Sequence, residues 1–447
     1  MTTKKSSFKK DPKYELWRYK AFGISWLAYA GFYLTRASFS VAKIGITDDP
    51  NVTLTIEQMG IIDGLYLIGY AVGQFVWGIL GDKLGTRKIV LGGLTASIIA
   101  GFAMGVSSIM LAFGVFALVQ GLSQSTGWAP LAKNITKWFS LHERGVVMGW
   151  WATNYTIGGL IGAPIAGLAA SYFLDWRFAF FIPALILLVI LILFYIFQKN
   201  SPEDVGLPLI EEYHKEKELV EEKESIEEIK HVEESSSKSA EEGSWQMTLN
   251  VIKNPMVLLL GAMYFFLKPT RYAILFWGPL FISDTLGTGM VDSAFVNGAF
   301  FLSGPLSVLA GGYASDKLFG SRRMPYAAIS MLLLSVLLFF FNDLASMHSM
   351  TVSAGILFLA GFFIYGPDSL VSATAAVDFG TSKGASTASG VINGMGSVGA
   401  IIGGTIPGFF KETWGWDGVF ILMAGSVFIA ALLMISKWNA LPDNNKN

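Results

Sequence analysis

Apolar residues run through this chain in long blocks, not in short alternations. Stretches of about 20 mostly apolar residues, the length a helix needs to cross a bilayer, lie near 21–43, 58–80, 89–107, 109–132, 145–172 and 177–198. A polar interval follows, and a second set lies near 256–282, 292–315, 325–342, 350–376, 384–410 and 418–437. The blocks are apolar all round instead of along one stripe, which predicts helices surrounded by lipid and by each other. Six blocks, a break and six more predict an all-α membrane protein with twelve transmembrane helices in two pseudo-symmetric six-helix halves. The halves fall at 1–198 and 251–447, with a charged linker at 199–250. Between Lys199 and Trp245 the stretch EEYHKEKELVEEKESIEEIKHVEESSSKSAEEGS is too charged to bury a core. It can form a frayed, exposed helix with Glu–Lys pairs four residues apart, and it reads as a plain tether or, alternatively, as a regulatory or partner-binding segment.

Composition supports lipid as the main solvent. Of 447 residues, 53% are hydrophobic and only 15% charged, against roughly 25% charged in soluble domains. Mean hydropathy is +0.51. A net charge of -1 leaves no nucleic-acid footprint, and the absence of cysteine excludes disulfides and Cys-ligated metal sites. Four scattered histidines form no metal cluster, so neither a metal nor a cofactor is expected. The polar, basic start is not followed by a short apolar stretch with a cleavage site, so no cleaved signal peptide is expected.

Lys and Arg in the loops set orientation. One side holds the basic N-terminus, Lys83/Arg87/Lys88, Lys137/Arg144, the linker, Lys317/Arg322/Arg323 and Lys437. The other holds little beyond Lys43, Arg177 and Lys411. The first side, with both termini, is expected to be cytoplasmic, in a plasma (inner) membrane.

Two loops repeat one pattern in corresponding places. After the second span the chain reads Gly78-Ile-Leu-Gly81-Asp82-Lys83-Leu-Gly85-Thr-Arg87-Lys88, and after the eighth Gly312-Tyr-Ala-Ser-Asp316-Lys317-Leu-Phe-Gly320-Ser-Arg322-Arg323. Small residues let helix ends approach. The Asp can accept hydrogen bonds from a helix N-terminus or from the basic residues. The pair resembles the signature loops of the major facilitator superfamily, which implies the major facilitator fold, a central cavity between the halves and alternating access. In that setting Gly78, Asp82, Arg87, Gly312, Asp316 and Arg322 would form cytoplasmic gate loops.

Ionisable groups at membrane depth are costly and mark functional sites. Arg36, in GFYLTRASFS, and Arg271, in FFLKPTRYAILFW, occupy corresponding depths of the first and seventh spans. At about 1.5 Å rise per residue both come near mid-bilayer. Two symmetry-related guanidinium forks suit a small dianion such as a phosphate. The opposing reading pairs each arginine with a buried carboxylate, and only Asp368 lies at a matching depth. Tyr29 and Tyr33 precede Arg36 on its helix face. Tyr66 and Tyr70 in the second span, Tyr272 and Tyr365 add further phenols. Lys268 sits three residues before Arg271, where two cations repel unless an anion is near. Either it supplies cavity charge or it pairs with Asp368.

With Tyr33-Leu-Thr-Arg36, Gly127-Trp128-Ala-Pro130, Glu143-Arg144-Gly145, Ser201-Pro-Glu-Asp-Val-Gly-Leu-Pro208, Arg271-Tyr272 and Tyr365-Gly-Pro367, the chain resembles the organophosphate:phosphate antiporter family of glycerol-3-phosphate and hexose-phosphate transporters. The resemblance runs along the whole chain apart from the linker. It implies that Arg36 and Arg271 clamp a phosphoryl group, that Tyr29, Tyr33 and Tyr70 line the site, and that Trp128 shapes its wall. The chain departs from the bacterial pattern at Ala37 and Gln74, where lysines stand, and at Tyr155, where a His is usual. The stretch from Ser386 to Ala400 is closer to eukaryotic translocases. The expected function is exchange of an organophosphate (glycerol 3-phosphate or a sugar phosphate) for inorganic phosphate by a monomer in the lipid bilayer. A membrane organophosphate sensor that transports poorly is the second expectation, and a proton symporter for a neutral solute a weaker third. No nucleophile–base pair suggests an enzyme.

Overall fold

The computed structural model describes residues 11–210, 212–213, 253–320, 322–347, 349–375 and 385–440, and every regular element among them is helical. Positions 214–252, most of the expected linker, lie outside the described residues.

Nine α-helices precede this gap among the described residues: α1 (Pro12–Arg36), α2 (Ser38–Asp48), α3 (Ile56–Leu84), α4 (Thr86–Gly105), α5 (Met110–Gln124), α6 (Trp128–Trp138), α7 (Leu141–Trp151), α8 (Thr153–Phe173) and α9 (Phe178–Phe197). After it come α10 (Pro255–Leu286), α11 (Met290–Tyr313), α12 (Arg323–Phe339), the short α13 (Phe341–Ala345), α14 (Met350–Ser369) and α15 (Ala385–Ile435). Helix starts follow local chemistry. Asp11 caps α1 through the Lys13 amide, with Pro12 in the first turn, and Asn254 caps α10 with Pro255 beside it. Thr55 and Gln58 cap α3 reciprocally. Within α15, Gly415 at φ 65 and ψ -171 breaks the run into the eleventh and twelfth spans.

The expected spans map onto these helices, but some of them are interrupted, the ninth near its end at Phe340. The first breaks at Ala37, where the Gln120 amide takes the Thr35 carbonyl at 3.2 Å and the Ser40 hydroxyl takes the Ala37 carbonyl. The fourth breaks at Ser125–Gly127 and the fifth at Ala152. Taken singly, six of the described helices are long and apolar enough to cross a membrane. Breaks shorten some of the others, and charged residues within the span mark α10.

Packing repeats between the halves. In the first, α3 lies against α5 and α1 against α8; in the second, α11 lies against α14 and α10 against α15. The halves meet along α3–α15, α8–α11 and α2–α10. Close approach needs glycine there: a Cβ on Gly60 would stand 2.8 Å from the Thr405 carbonyl oxygen and 3.0 Å from the Gly408 Cα.

Candidate substrate-binding site

Arg36 ends α1 and points into the first half. It is 5% exposed. Its Nε donates to Gln124 Oε1 at 3.2 Å, and the same oxygen accepts from the Tyr66 hydroxyl at 2.7 Å. The Gln124 amide donates in turn to the Thr35 hydroxyl at 3.0 Å, so the glutamine is fixed from both sides. The guanidinium carbon lies 4.1 Å from the Tyr33 ring centre, 4.9 Å from Tyr70 and 5.7 Å from Tyr66. Electron-rich ring faces offset part of the cost of burying the cation. They leave its second terminal nitrogen buried without a hydrogen-bond partner, and no carboxylate among the described residues pairs with it.

Tyr29 completes this wall, its hydroxyl 3.3 Å from that of Tyr70. Its ring packs on Trp128 at 5.4 Å and on Trp151 at 5.9 Å. The Gly127-Trp128 dipeptide has a steric reason: a Cβ on Gly127 would sit 2.6 Å from the Tyr29 ring.

The second half answers differently. Arg271 donates to Asp368 Oδ2 at 2.8 Å, so this arginine has a carboxylate partner. It also lies 4.9 Å from the Tyr365 ring and 5.6 Å from that of Tyr155. Asp368 Oδ1 and the Tyr365 hydroxyl are buried with no partner. Lys268 does not pair with Asp368; its ammonium rests 4.6 Å from the Tyr264 ring and 5.7 Å from that of Tyr272. The two arginine sites are joined by aromatic rings, Tyr33 to Tyr155 at 6.3 Å and Tyr155 to Tyr365 at 6.4 Å. Tyr155 is thus the bridge between the halves.

A cavity of about 510 Å³ opens between the α7–α8 region and α11, and touches this set at Tyr155. Around Arg36 only about 10 Å³ remains, barely one water, so an anion enters there only if side chains move. On the side away from the termini the halves are locked. Lys43, fully buried on α2, pairs with Asp63 on α3 and donates to the Phe276 carbonyl of α10 at 3.0 Å. It also lies 3.7 Å from the Trp277 ring centre. Neither Lys43 nor Asp63 was expected to act across the halves.

The repeated loops are anchored unequally. Arg87 donates to the Tyr195 carbonyl at 2.6 Å, and its amide to Asn200 Oδ1 at 2.9 Å, tying the first loop to the end of α9. The surroundings of Gly78 and the side chain of Asp82 lie outside the described residues. In the second loop Asp316 accepts from Arg323, while Arg322 reaches Asn439 at 3.3 Å and Gly312 lies within the last turn of α11.

Structure thus brings together Arg36, Tyr29, Tyr33, Tyr70 and Trp128 in one half and Arg271, Lys268 and Tyr365 in the other. Sequence reasoning missed Gln124 and Trp151 and gave Tyr155 no role. A glutamine inside an apolar block was the available signal for the first.

Comparison with known proteins agrees with this architecture. Residues 25–403 match the model of the Major Facilitator Superfamily. The chain is 28% identical to a probable hexose phosphate transport protein of Chlamydia pneumoniae, over 97% of this chain and 94% of that protein. It is 28% identical to the glycerol-3-phosphate transporter of Bacillus subtilis, over 96% and 94%. It is 31% identical to the membrane sensor protein UhpC of Escherichia coli, also over 96% and 94%. In fold it is similar to a bacterial homologue of the human lysosomal transporter Spinster, with a TM-score of 0.70 at 12% identity over 96% of both chains. The chain is an integral, multi-pass membrane protein that belongs to the Major Facilitator Superfamily and, within it, to the organophosphate:phosphate antiporter family, a family of carriers and not of enzymes.

Proposed function

We propose that the chain is a secondary-active transporter that exchanges an organophosphate for inorganic phosphate by alternating access. One observation carries the reading: Arg36 is buried with a free guanidinium nitrogen and no carboxylate against it. A buried cation in this state costs several kcal/mol unless an anion visits it. With Lys268 and Arg271 the central site holds, among the described residues, three cations against the single carboxylate of Asp368. Two positive charges are left over, the complement of a phosphate dianion. Planar guanidinium donors suit phosphoryl oxygens, and Tyr29, Tyr33, Tyr70, Trp128 and Tyr365 supply phenol donors and walls.

Coupling follows from the same charges. The empty site resists closure because like charges repel in a medium that screens them poorly. An anion cancels them and permits occlusion, so exchange is easier than return of the empty carrier. We place both termini and the 199–250 linker on the cytoplasmic side of a plasma membrane, from the Lys/Arg bias of the loops. The 1–198 and 251–447 halves work as the rocking bodies of a monomer.

Counterflow in proteoliposomes loaded with inorganic phosphate, with a panel of organophosphates outside, tests the reading. Labelled phosphate should leave faster when an organophosphate is outside than into plain buffer; equal rates would overturn exchange. The 31% identity to a membrane sensor supports a second reading, binding with little flux. Strong binding with no exchange would favour it.

A further inference from the structure

We infer that Asp368 is a specificity-determining residue: with Tyr365 it forms a subsite for a hydroxyl on the organic part of the substrate, apart from the phosphoryl site at Arg36. The inference rests on the organophosphate reading above and names which part of the ligand goes where.

A carboxylate in an anion site repels the ligand's charge, so its presence needs a reason. Asp368 is 7% exposed, and one of its oxygens is engaged by Arg271 at 2.8 Å. The other, Oδ1, is buried without a partner. Three residues earlier on α14, the Tyr365 hydroxyl is also buried without a partner, in a side chain 1% exposed. Residues three apart on a helix share a face. The Arg271 guanidinium, bonded to Asp368, also lies 4.9 Å from the Tyr365 ring, so one arginine fixes both. Groups buried unpaired are expensive. The cheapest way to satisfy these two is one ligand group that both donates and accepts. An alcohol does this, donating to Oδ1 and accepting from the phenol. A second phosphate oxygen does not, because an ionised oxygen has no proton for the carboxylate.

The neighbours of Asp368 do not supply a group that both donates and accepts: the Tyr264 hydroxyl of α10 lies close enough to interact with the Asp368 carboxylate, but it leaves the Tyr365 hydroxyl without a partner. Lys268 rests on the Tyr264 and Tyr272 rings of α10. Tyr155 of α8 faces Arg271 and Tyr365 through its ring. On α11 the Ser307 hydroxyl donates to the Phe362 carbonyl. Pairing with Asp368 also takes one charge off the site. That leaves the two at which a dianion is balanced and, after the halves rock apart, released. The phosphoryl group belongs with Arg36, where a donor is free; the carbon skeleton then extends past Tyr33 and Tyr155 toward Tyr365 and Asp368.

The test compares phosphates that differ only in hydroxyls, by ligand-induced thermal shift on the purified full chain in detergent. The pairs are glycerol 3-phosphate with n-propyl phosphate, and glucose 6-phosphate with tetrahydropyran-2-ylmethyl phosphate, with inorganic phosphate as reference. In wild type, at least one hydroxylated member should bind about tenfold or more tighter than its counterpart, the scale of a charge-assisted hydrogen bond. Asp368→Asn should collapse that ratio to about threefold or less. Tyr365→Phe, which keeps the ring, should lower it by a smaller factor and serves if the Asn variant folds poorly. An unchanged ratio in both variants overturns the inference. So does equal weakening of every ligand, which would confine Asp368 to holding Arg271. Tight binding of hydroxylated phosphates without vesicle exchange would instead refute the transport reading and leave this one standing.

Discussion

Arg36→Lys separates the shape of the anion site from its charge. Lysine keeps the positive charge at the end of α1 but loses the planar fork and the nitrogen that now lacks a partner. The structural cost should be small. Gln124 Oε1 loses the Arg36 Nε bond but still accepts from Tyr66 at 2.7 Å, and the Gln124 amide keeps Thr35. The ammonium can still rest on the Tyr33 and Tyr70 rings, which hold the guanidinium now at 4.1 and 4.9 Å. The ligand cost should be large. Losing one or two charge-assisted bonds at roughly 1.5–3 kcal/mol each means about a tenfold to thousandfold or greater drop in affinity for phosphate. Phosphate self-exchange in proteoliposomes reads the transport effect. Melting of the ligand-free protein reads the fold and should shift by only a few degrees. Near-wild-type exchange in a well-folded Arg36→Lys protein would refute the anion-site reasoning, because a point charge would then suffice.

Lys268→Ala should weaken apparent organophosphate affinity by roughly 1–3 kcal/mol, with partial rescue by Gln74→Lys. Wild-type affinity in the single variant would remove Lys268 from the site. Lys43→Met should leave Asp63 buried and unpaired, at a cost of about 3–5 kcal/mol, and Asp63→Leu in the same chain should restore much of the melting temperature; no recovery would mean the pair is not the cause. The chain has no cysteine, so single-cysteine probes are clean, and the double variant should increase labelling on the face away from the termini. Protease added to sealed right-side-out cells should spare the 199–250 linker, and cleavage there would reverse the proposed orientation.

Periodicity made the helices legible because a span hydrophobic all round has few alternatives. The blocks at 177–198 and 256–282 match α9 and α10 closely for that reason. Breaks at Ala37 and Ala152 were not legible. They depend on side chains far away in sequence, such as Gln120 taking the Thr35 carbonyl, and no local propensity marks them. In the site, unpaired charge at membrane depth pointed to Arg36 and Arg271, since few other residues there could bear it. What sequence left open was partner choice. Depth alone allowed Asp368 to meet Lys268 or Arg271; the helical turn between them decides, and it selects Arg271 at 2.8 Å. Lys43 and Asp63 were each visible as charges near a helix end, but a bond across the halves to the Phe276 carbonyl requires the tertiary fold.

The candidate ligand site and the lock on the side away from the termini share their helices, and that would give the proposed exchange a mechanical basis. Arg36 and Lys43 are seven residues apart, two turns along the first span on nearly one face. Arg271 and the Phe276 carbonyl lie on α10 little more than one turn apart. An anion that draws Arg36 toward the uncompensated cation of α10, Lys268, therefore acts on the two elements that Lys43 pins together. In the empty carrier the two uncompensated charges would push these elements apart around the site, while Lys43, Asp63 and the packing of Gly60 on Gly408 hold them together at the end away from the termini. The result would be a pivot held shut on the side away from the termini. Opening outward requires the Lys43–Phe276 contact to break, and its replacement must come from contacts on the other side, where Arg87 and Arg323 already hold the repeated loops. An anion that removes the central repulsion lowers the barrier in both directions equally. That symmetry is what the proposed exchange needs, and under that reading it accounts for an excess of positive charge in the site in place of a neutral set of pairs.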